Sequence, residues 1–194
     1  MLPRPIQNLI DEFAKLPSVG PRQAARFVFY LLNQPKEEIE KFAKKLFVLK
    51  KIKYCAFCNQ AIEINHLCNI CKDKSRNRNT ICIVEKDTDI ESLEKTKRYN
   101  GLYYVIGTED ENKQLARLKN LIEKIKKSSK QLEEIIIATD ATTEGETIAL
   151  YIAKAFKNLP AVGRVTRLGR GLSTGSELEY MDEDTLINAL LSRK

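Results

Sequence analysis

The stretch that decides the fold is Cys55-Ala-Phe-Cys58, nine residues, then Cys68-Asn-Ile-Cys71. Two Cys-x-x-Cys pairs bring four thiols from two tight turns. That set matches the tetrahedral, all-cysteine coordination of a structural zinc ion, one per chain. Four protein ligands leave no open position, so such a site folds the chain locally rather than catalysing a reaction. The short spacer implies a small knuckle. His66 lies two residues before Cys68, but four cysteines already complete the shell. Tyr54 and Phe57 flank the first pair and are expected to pack over it.

Upstream of the cysteines the pattern is helical. Ile6, Leu9, Ile10 and Phe13 follow the i, i+3, i+4, i+7 spacing of one apolar face. Leu16-Pro-Ser-Val-Gly20-Pro21 breaks the pattern. A second helix is expected from Pro21 to Asn33, with Pro21 suited to its first position. A third is expected from Lys36 to about Lys51, with Ile39, Phe42, Leu46 and Leu49 on one face. Two short helices joined by Leu-Pro-x-Val-Gly have the form of a helix-hairpin-helix. In that form a glycine turn lets backbone N–H groups approach a DNA phosphate at a helix N-terminus. Gly20 is the turn glycine here, and Ser18 stands where a first glycine is expected. Arg22 and Arg26 are four apart and share a helix face, so both can meet one phosphate strand. The competing reading is an ordinary pair of helices with a glycine turn.

The charge distribution favours an anionic partner for this region. The net charge is +7 over 194 residues. Residues 1–53 hold 11 Lys/Arg against 5 Asp/Glu, residues 54–80 hold 4 against 2, and residues 81–194 hold 18 against 19. The whole excess therefore lies in the first 80 residues, as expected for nucleic-acid binding. The N-terminal residues have no basic stretch followed by an apolar run, and the longest apolar run, Phe27 to Leu32, is far too short to span a bilayer. A soluble intracellular protein with reduced thiols is expected.

Downstream, strands and helices alternate. Thr80–Val84, Leu102–Ile106, Glu134–Ala138 and Val165–Leu168 read as strands. Thr88–Arg98, Asn112–Lys127 and Glu144–Phe156 read as helices, and another begins near Glu183. Cys82, inside the first strand, reads as a core side chain. This order calls for a parallel sheet covered by helices. No Gly-x-Gly-x-x-Gly or Walker A run is present. The expected fold is α+β and multidomain. Residues 1–53 form a helical hairpin domain and 54–79 the cysteine knuckle. Residues 80–170 form a Rossmann-like α/β domain with a parallel sheet, and 171–194 a C-terminal loop and helix.

Acidic residues gather where ligands bind in such sheets, beyond the strands' carboxyl ends. Glu85 follows the first strand, and Thr139-Asp-Ala-Thr-Thr-Glu-Gly-Glu146 follows the third. A Glu after one strand and an Asp-x-Asp after another would hold Mg²⁺ through carboxylate oxygens. The arrangement resembles the Toprim domain of topoisomerases and primases. Asp140 is present, but Thr142 occupies the second acidic position, so the shape of that domain is supported more strongly than a Mg²⁺ site. Thr143-x-x-Glu146 also reads as a capping box for the next helix.

Taken together, the chain resembles the bacterial recombination mediator family RecR. The resemblance covers nearly all of it. It is carried by Leu16-Pro-Ser-Val-Gly-Pro21, the four cysteines, Thr80-Ile-Cys-Ile-Val-Glu85, Tyr99-Asn-Gly-Leu-Tyr103, Thr143-Glu-Gly-Glu146, Leu178-Glu-Tyr180 and Thr185-Leu186. It implies a non-enzymatic, cytoplasmic, nucleoid-associated protein of bacteria. The family forms ring-like oligomers on DNA, here of two to four chains, partners RecO and sometimes RecF, and helps load recombinase on single-stranded gaps. The resemblance implies DNA contacts at Gly20, Arg22 and Arg26. It also implies that Glu85, Asp140, Glu144 and Glu146 form a partner-binding or vestigial Toprim site. Two departures stand out. Thr108-Glu-Asp-Glu-Asn112 is short and acidic where the family carries a Gly/Pro-rich loop, which bears on RecF. Ser173 replaces a common Pro.

Two other function classes remain alongside the mediator. One is a metal-dependent Toprim-type enzyme of DNA strand cleavage, against which Thr142 and the lack of a nucleophilic Tyr motif count. The other is a zinc-stabilised interaction module with incidental basic charge. Salt-dependent DNA binding and Mg²⁺-dependent cleavage separate the three.

Overall fold

In the computed structural model, which describes residues 2–108, 110–128, 131–169, 171–172 and 174–191, the chain divides between Ile52 and Lys53 into two units. The first holds α1 (Arg4–Phe13), α2 (Pro21–Leu32) and α3 (Lys36–Val48), the last continuing into a 3-10 turn, Leu49–Lys51. Pro21 opens α2 at a position whose N–H has no helical partner in any case. Ile10, Ala24 and Val28 are the buried seam between α1 and α2, and the Phe13 and Phe27 rings meet edge to face at 5.8 Å. The small Ala24 lets the two helices approach closely. One neighbouring helix covers only a narrow stripe, so Leu9, expected on the inner face, is exposed. The stripe of α3 is apolar as expected, yet Ile39, Phe42, Leu46 and Leu49 are all exposed, and no residue of α3 is buried.

The second unit begins with the knuckle. A two-residue antiparallel pair, β1 (Lys53–Tyr54) with β2 (Ala61–Ile62), and a single helical turn, α4 (Asn69–Lys72), carry the cysteines. Then follow β3 (Thr80–Val84), α5 (Asp87–Lys95), β4 (Leu102–Val105), α6 (Glu111–Lys127), β5 (Leu132–Ala138), α7 (Thr143–Lys157) and β6 (Val162–Arg167). A 3-10 turn, Leu178–Tyr180, and α8 (Glu183–Leu191) end the chain. The four strands β3 to β6 form one parallel sheet in the order β4-β3-β5-β6.

Alternation along β3 shows why the sheet is covered on both sides. Ile81 and Ile83 join Tyr104, Ile135 and Ile137 in the larger core, under Leu118, Leu121 and Ile125 of α6 and Ile148, Ile152 and Phe156 of α7. Cys82 and Val84 join Tyr103 and Val105 in the smaller core, under Ile90 and Leu93 of α5. Cys82 is a core side chain as expected, and burial pushes its thiol up to about 12.

One expectation needs correction. The last strand starts at Val162, not Val165: Gly163 and Arg164 lie exposed on an edge strand, so the apolar signal begins late. Arg76 and Arg78 lie on the connector between α4 and β3 and tie it down. The Arg76 guanidinium is half-buried and bonds both carboxylate oxygens of Glu94, whose Oε1 also accepts from the Tyr103 hydroxyl at 2.7 Å. Arg78 donates to the Cys71 carbonyl at 3.0 Å. Ser173 lies outside the described residues.

Candidate functional site

The sulfurs of Cys55, Cys58, Cys68 and Cys71 all lie within 4.8 Å of one another, and all four residues are buried. A tetrahedral metal with bonds of about 2.3 Å holds its sulfurs about 3.8 Å apart, and Cys58 Sγ lies 3.5 Å from Cys68 Sγ. The backbone folds to make this possible. Asn59 and Asn65 take left-handed φ values of 61° and 87°, which Asn tolerates better than most residues. The Cys68 amide donates to Cys55 Sγ and the Cys71 amide to Cys68 Sγ, both at 3.3 Å. Donation from the Cys58 thiol, and then from Cys71, holds the Cys68 thiol far below the ordinary thiol range. The four cysteines are therefore positioned to bind a metal ion. His66 is exposed, and its carbonyl accepts from the Ala56 amide at 3.0 Å.

The knuckle is fastened to the edge strand β4. The Val105 amide donates to the Cys58 carbonyl at 2.8 Å. Lys124, on α6, donates to the carbonyls of Ala56 and Phe57 at 2.6 and 3.0 Å and stands over the Phe57 and Tyr104 rings. Burial lowers the Lys124 pKa. An edge strand with free backbone groups invites pairing with other chains, and the knuckle covers part of this one. Phe57 packs against the core as expected. Tyr54 does not: it is exposed, with the Arg117 guanidinium 5.8 Å from its ring centre. It lies on a two-residue strand both of whose residues are exposed.

At the carboxyl end of the sheet, Glu85 and Asp140 come together. Glu85 is buried, and its Oε1 accepts from the Asp140 amide at 3.0 Å. Burial raises the Glu85 pKa; the amide opposes this, and the Asp140 charge adds to it. The Asp140 carboxylate meets Lys86 Nζ at 2.8 Å, which raises the Lys86 pKa. The first turn of α7 closes over the pair through Gly145. The helix is capped by Thr142, not by the expected Thr143: Thr142 has extended backbone and its hydroxyl accepts from the Gly145 amide at 3.1 Å. Thr143 is already helical, and its carbonyl accepts from the Thr147 hydroxyl at 2.9 Å. The far half of the expected capping box, Glu146, is instead held by the Arg167 guanidinium of β6. Glu144 is exposed and lines a hollow between α6 and α7.

In the first unit, Gly20 is the N-cap residue of α2 with extended backbone, and Arg22 and Arg26 are both exposed on that helix. A Cβ added to Gly20 would meet nothing within 4 Å. The turn's own packing thus leaves the space beside this helix N-terminus open. Ser18 has φ 62°, the left-handed region that a glycine occupies without strain.

Residues 79–168 match the Toprim domain, residues 6–48 the RecR helix-hairpin-helix and residues 171–194 the RecR C-terminal region. The chain is 40% identical over 204 residues to the recombination protein RecR of Streptococcus mutans, covering 100% of this chain and 98% of that one. It is 42% identical over 202 residues to recombination protein RecR of Staphylococcus aureus, covering 98% and 97%. The chain belongs to the RecR family. Within the family's layout, the cysteine cluster falls between the stretches matched as the helix-hairpin-helix and the Toprim domain, and Glu85 to Glu146 lie inside the Toprim match. Among the described residues, no helix is long and apolar enough to cross a membrane.

Sequence reading missed Lys86, Gly145, Arg167 and Lys124. Lys86 had a signal, since it directly follows Glu85. Gly145 had one too, as a glycine in the first turn of a helix, where propensity disfavours it. Arg167 and Lys124 had none, because their partners lie on other elements, 21 and 67–68 residues away.

Proposed function

We propose that this chain acts without catalysis in DNA recombination and repair. On this reading it is an oligomeric DNA clamp that works with RecO, and in some settings RecF, to load recombinase on single-stranded gaps. One observation carries the choice of mediator over enzyme. Of the positions that would gather Mg²⁺ in a Toprim enzyme, Glu85 holds a backbone amide, Asp140 holds Lys86, and Thr142 has a hydroxyl that caps α7. A divalent ion needs several free oxygen ligands, and here the carboxylates already have partners.

DNA is assigned to the hairpin turn. The open space at Gly20, the N-terminus of α2 and the exposed Arg22 and Arg26 together suit backbone phosphate, which carries no sequence information. Zinc is the metal assigned to the four cysteines, because an all-thiolate tetrahedral set suits it. Self-association is supported by the exposed apolar stripe of α3, a surface that a second chain can cover. The acidic stretch after Gly107 argues for weaker dependence on RecF; Glu109 within it lies outside the described residues.

The alternative, a strand-cleaving enzyme, is favoured only by the meeting of Glu85 and Asp140. Gapped DNA incubated with the purified protein and Mg²⁺ separates the two. The mediator binds it in a salt-dependent way and leaves it intact, whereas cleavage lost in Asp140→Ala would establish the enzyme.

A further inference from the structure

At the amino end of the sheet, opposite the Glu85–Asp140 pair, a cavity of about 270 Å³ lies between the knuckle, the last turn of α6 and the first residues of three strands. Ile81 of β3, Leu102 of β4, Leu132 of β5 and Ile125 of α6 make an aliphatic floor, and Phe57 of the knuckle makes an aromatic wall. The charged side chains in the lining are Arg78 and Lys124; among the described residues no carboxylate lines it. Glu133 follows Leu132 but points to the opposite face of the sheet, where its carboxylate accepts from the Asn79 side-chain amide at 3.4 Å.

The cations have different duties. Lys124 is shared with the knuckle: its ammonium holds the carbonyls of Ala56 and Phe57. Arg78 is exposed, and its bond to the Cys71 carbonyl at 3.0 Å fixes the guanidinium beside the cavity. A guanidinium has further N–H donors in a rigid fork, the geometry that takes a phosphate through two bonds. Ser128, which also lines the cavity, is four residues beyond Lys124, and the exposed Lys127 is three beyond it, so both fall on the Lys124 side of the helix. The carboxyl end of α6 contributes about half a negative charge, which Lys124, Lys126 and Lys127 in the last turn outweigh.

An apolar slot with a cationic mouth suits a ligand that has a flat apolar face and one anionic group. Its volume lies at the small end of ligand sites, which fits a single nucleotide and is too small for a dinucleotide cofactor. We propose that this cavity is a nucleotide site. The base enters against Phe57, over Leu102 and Leu132, and the phosphate rests on Arg78 and Lys127. Stacking and apolar contact of this kind accept any base. The site is distinct from the hairpin turn, where backbone phosphate alone is assigned. Two sources offer the same chemistry, a free mononucleotide and the unpaired, phosphorylated end of a DNA strand.

The test uses the full chain loaded with zinc and deoxyadenosine monophosphate as the probe, followed by calorimetry. Binding is expected with Kd of roughly 10 µM to 1 mM, and deoxyadenosine or inorganic phosphate alone should each bind at least about tenfold more weakly, since each fills half of the site. Ser128→Leu blocks the mouth from an exposed position, and Arg78→Met removes the phosphate contact. Each should weaken the mononucleotide about tenfold or more, with zinc content and melting temperature as in wild type, and Ser128→Ala should bind like wild type. A short single strand with a 5′ phosphate separates the sources. If it displaces the mononucleotide from wild type, the strand end is the ligand; if it does not, the free nucleotide is. Absence of mononucleotide binding overturns the proposal. So does equal binding by wild type and the folded Ser128→Leu variant, which would place the ligand elsewhere. Inorganic phosphate binding as tightly as the mononucleotide would reduce the site to surface anion attraction and overturn it as well.

Discussion

A methyl group on Gly145 would stand 2.2 Å from the carbonyl oxygen of Asp140 and 3.0 Å from Oε1 of Glu85. The first turn of α7 is therefore pressed against the Glu85–Asp140 pair, and backbone rather than a flexible side chain is in the way. Gly145→Ala gains about 1 kcal/mol of helix propensity but forces the turn off the sheet. The expected net result is destabilisation of about 1–3 kcal/mol, as for overpacked sites. Thermal or urea unfolding measures it, with an equal or higher midpoint as the contrary result.

Zinc and folding are expected to be coupled. Cys68 joins the cluster from both sides, accepting from the Cys71 amide and lying beside Cys58. Cys68→Ser should lose stoichiometric zinc and loosen the knuckle from β4, because metal binding supplies folding free energy at such sites. Cys82→Ala should keep its zinc, since Cys82 lies in the sheet core outside the cluster. Metal analysis after chelator challenge distinguishes them; a zinc-free Cys68→Ser that melts like wild type would count against the coupling.

Arg22→Ala with Arg26→Ala should weaken DNA binding equally across sequences. Removing two phosphate contacts should also flatten the dependence of log affinity on log salt by about 1.4 to 1.8 in slope. Titrations at several salt concentrations with single-stranded and gapped DNA read both numbers. An unchanged slope would move the contact away from α2.

Ser18→Gly should stabilise the first unit. The left-handed backbone costs a non-glycine residue about 1–2 kcal/mol, while the added freedom of glycine in the unfolded chain returns about 0.5–1 kcal/mol of that. The expected gain is roughly 0.5–1 kcal/mol. Amide exchange in α1 and α2 should slow about two- to fivefold. Faster exchange would mean that the Ser18 side chain holds the turn.

The Arg76–Glu94–Tyr103 contact predicts an acid dependence. Hydrogen bonding from Arg76 lowers the Glu94 pKa below the ordinary carboxylate value. A depressed carboxylate contributes stability that is present above its unfolded pKa and lost as pH falls through its folded pKa. Glu94→Gln should therefore narrow the stability difference between neutral and acid pH. Arg76→Ala at pH 7 should destabilise by about 2 kcal/mol, as expected for a lost hydrogen bond to a charged group. Urea midpoints at pH 7 and below pH 4 test both; parallel pH profiles in wild type and Glu94→Gln would remove this contact as the cause.

The sequence by itself determined the order of the longer helices and of the four sheet strands, and the four-cysteine set. Two Cys-x-x-Cys pairs confine their sulfurs by spacing alone, and the apolar periods of α6 and α7 and the β-branched run of β3 mark helix and strand locally. Proline at position 21 and glycine at position 20 placed the hairpin turn for the same reason: these are restrictions on backbone geometry carried by single residues.

What only the tertiary structure decided is which charges meet. Glu85 with Asp140, Asp140 with Lys86, Glu146 with Arg167 and Arg76 with Glu94 each join different elements, and a pairing of that kind depends on strand order and register. The same holds for the cap of α7. Thr142 and Thr143 are chemically alike, and only the folded chain shows that Thr142 has the extended backbone and caps the helix while Thr143 is its first residue. The hollow between α6 and α7 was hidden for a related reason. Leu150 and Tyr151 fall within the helix expected over Glu144–Phe156, and only the packing of Ile148 and Ile152 shows that they lie outside the core.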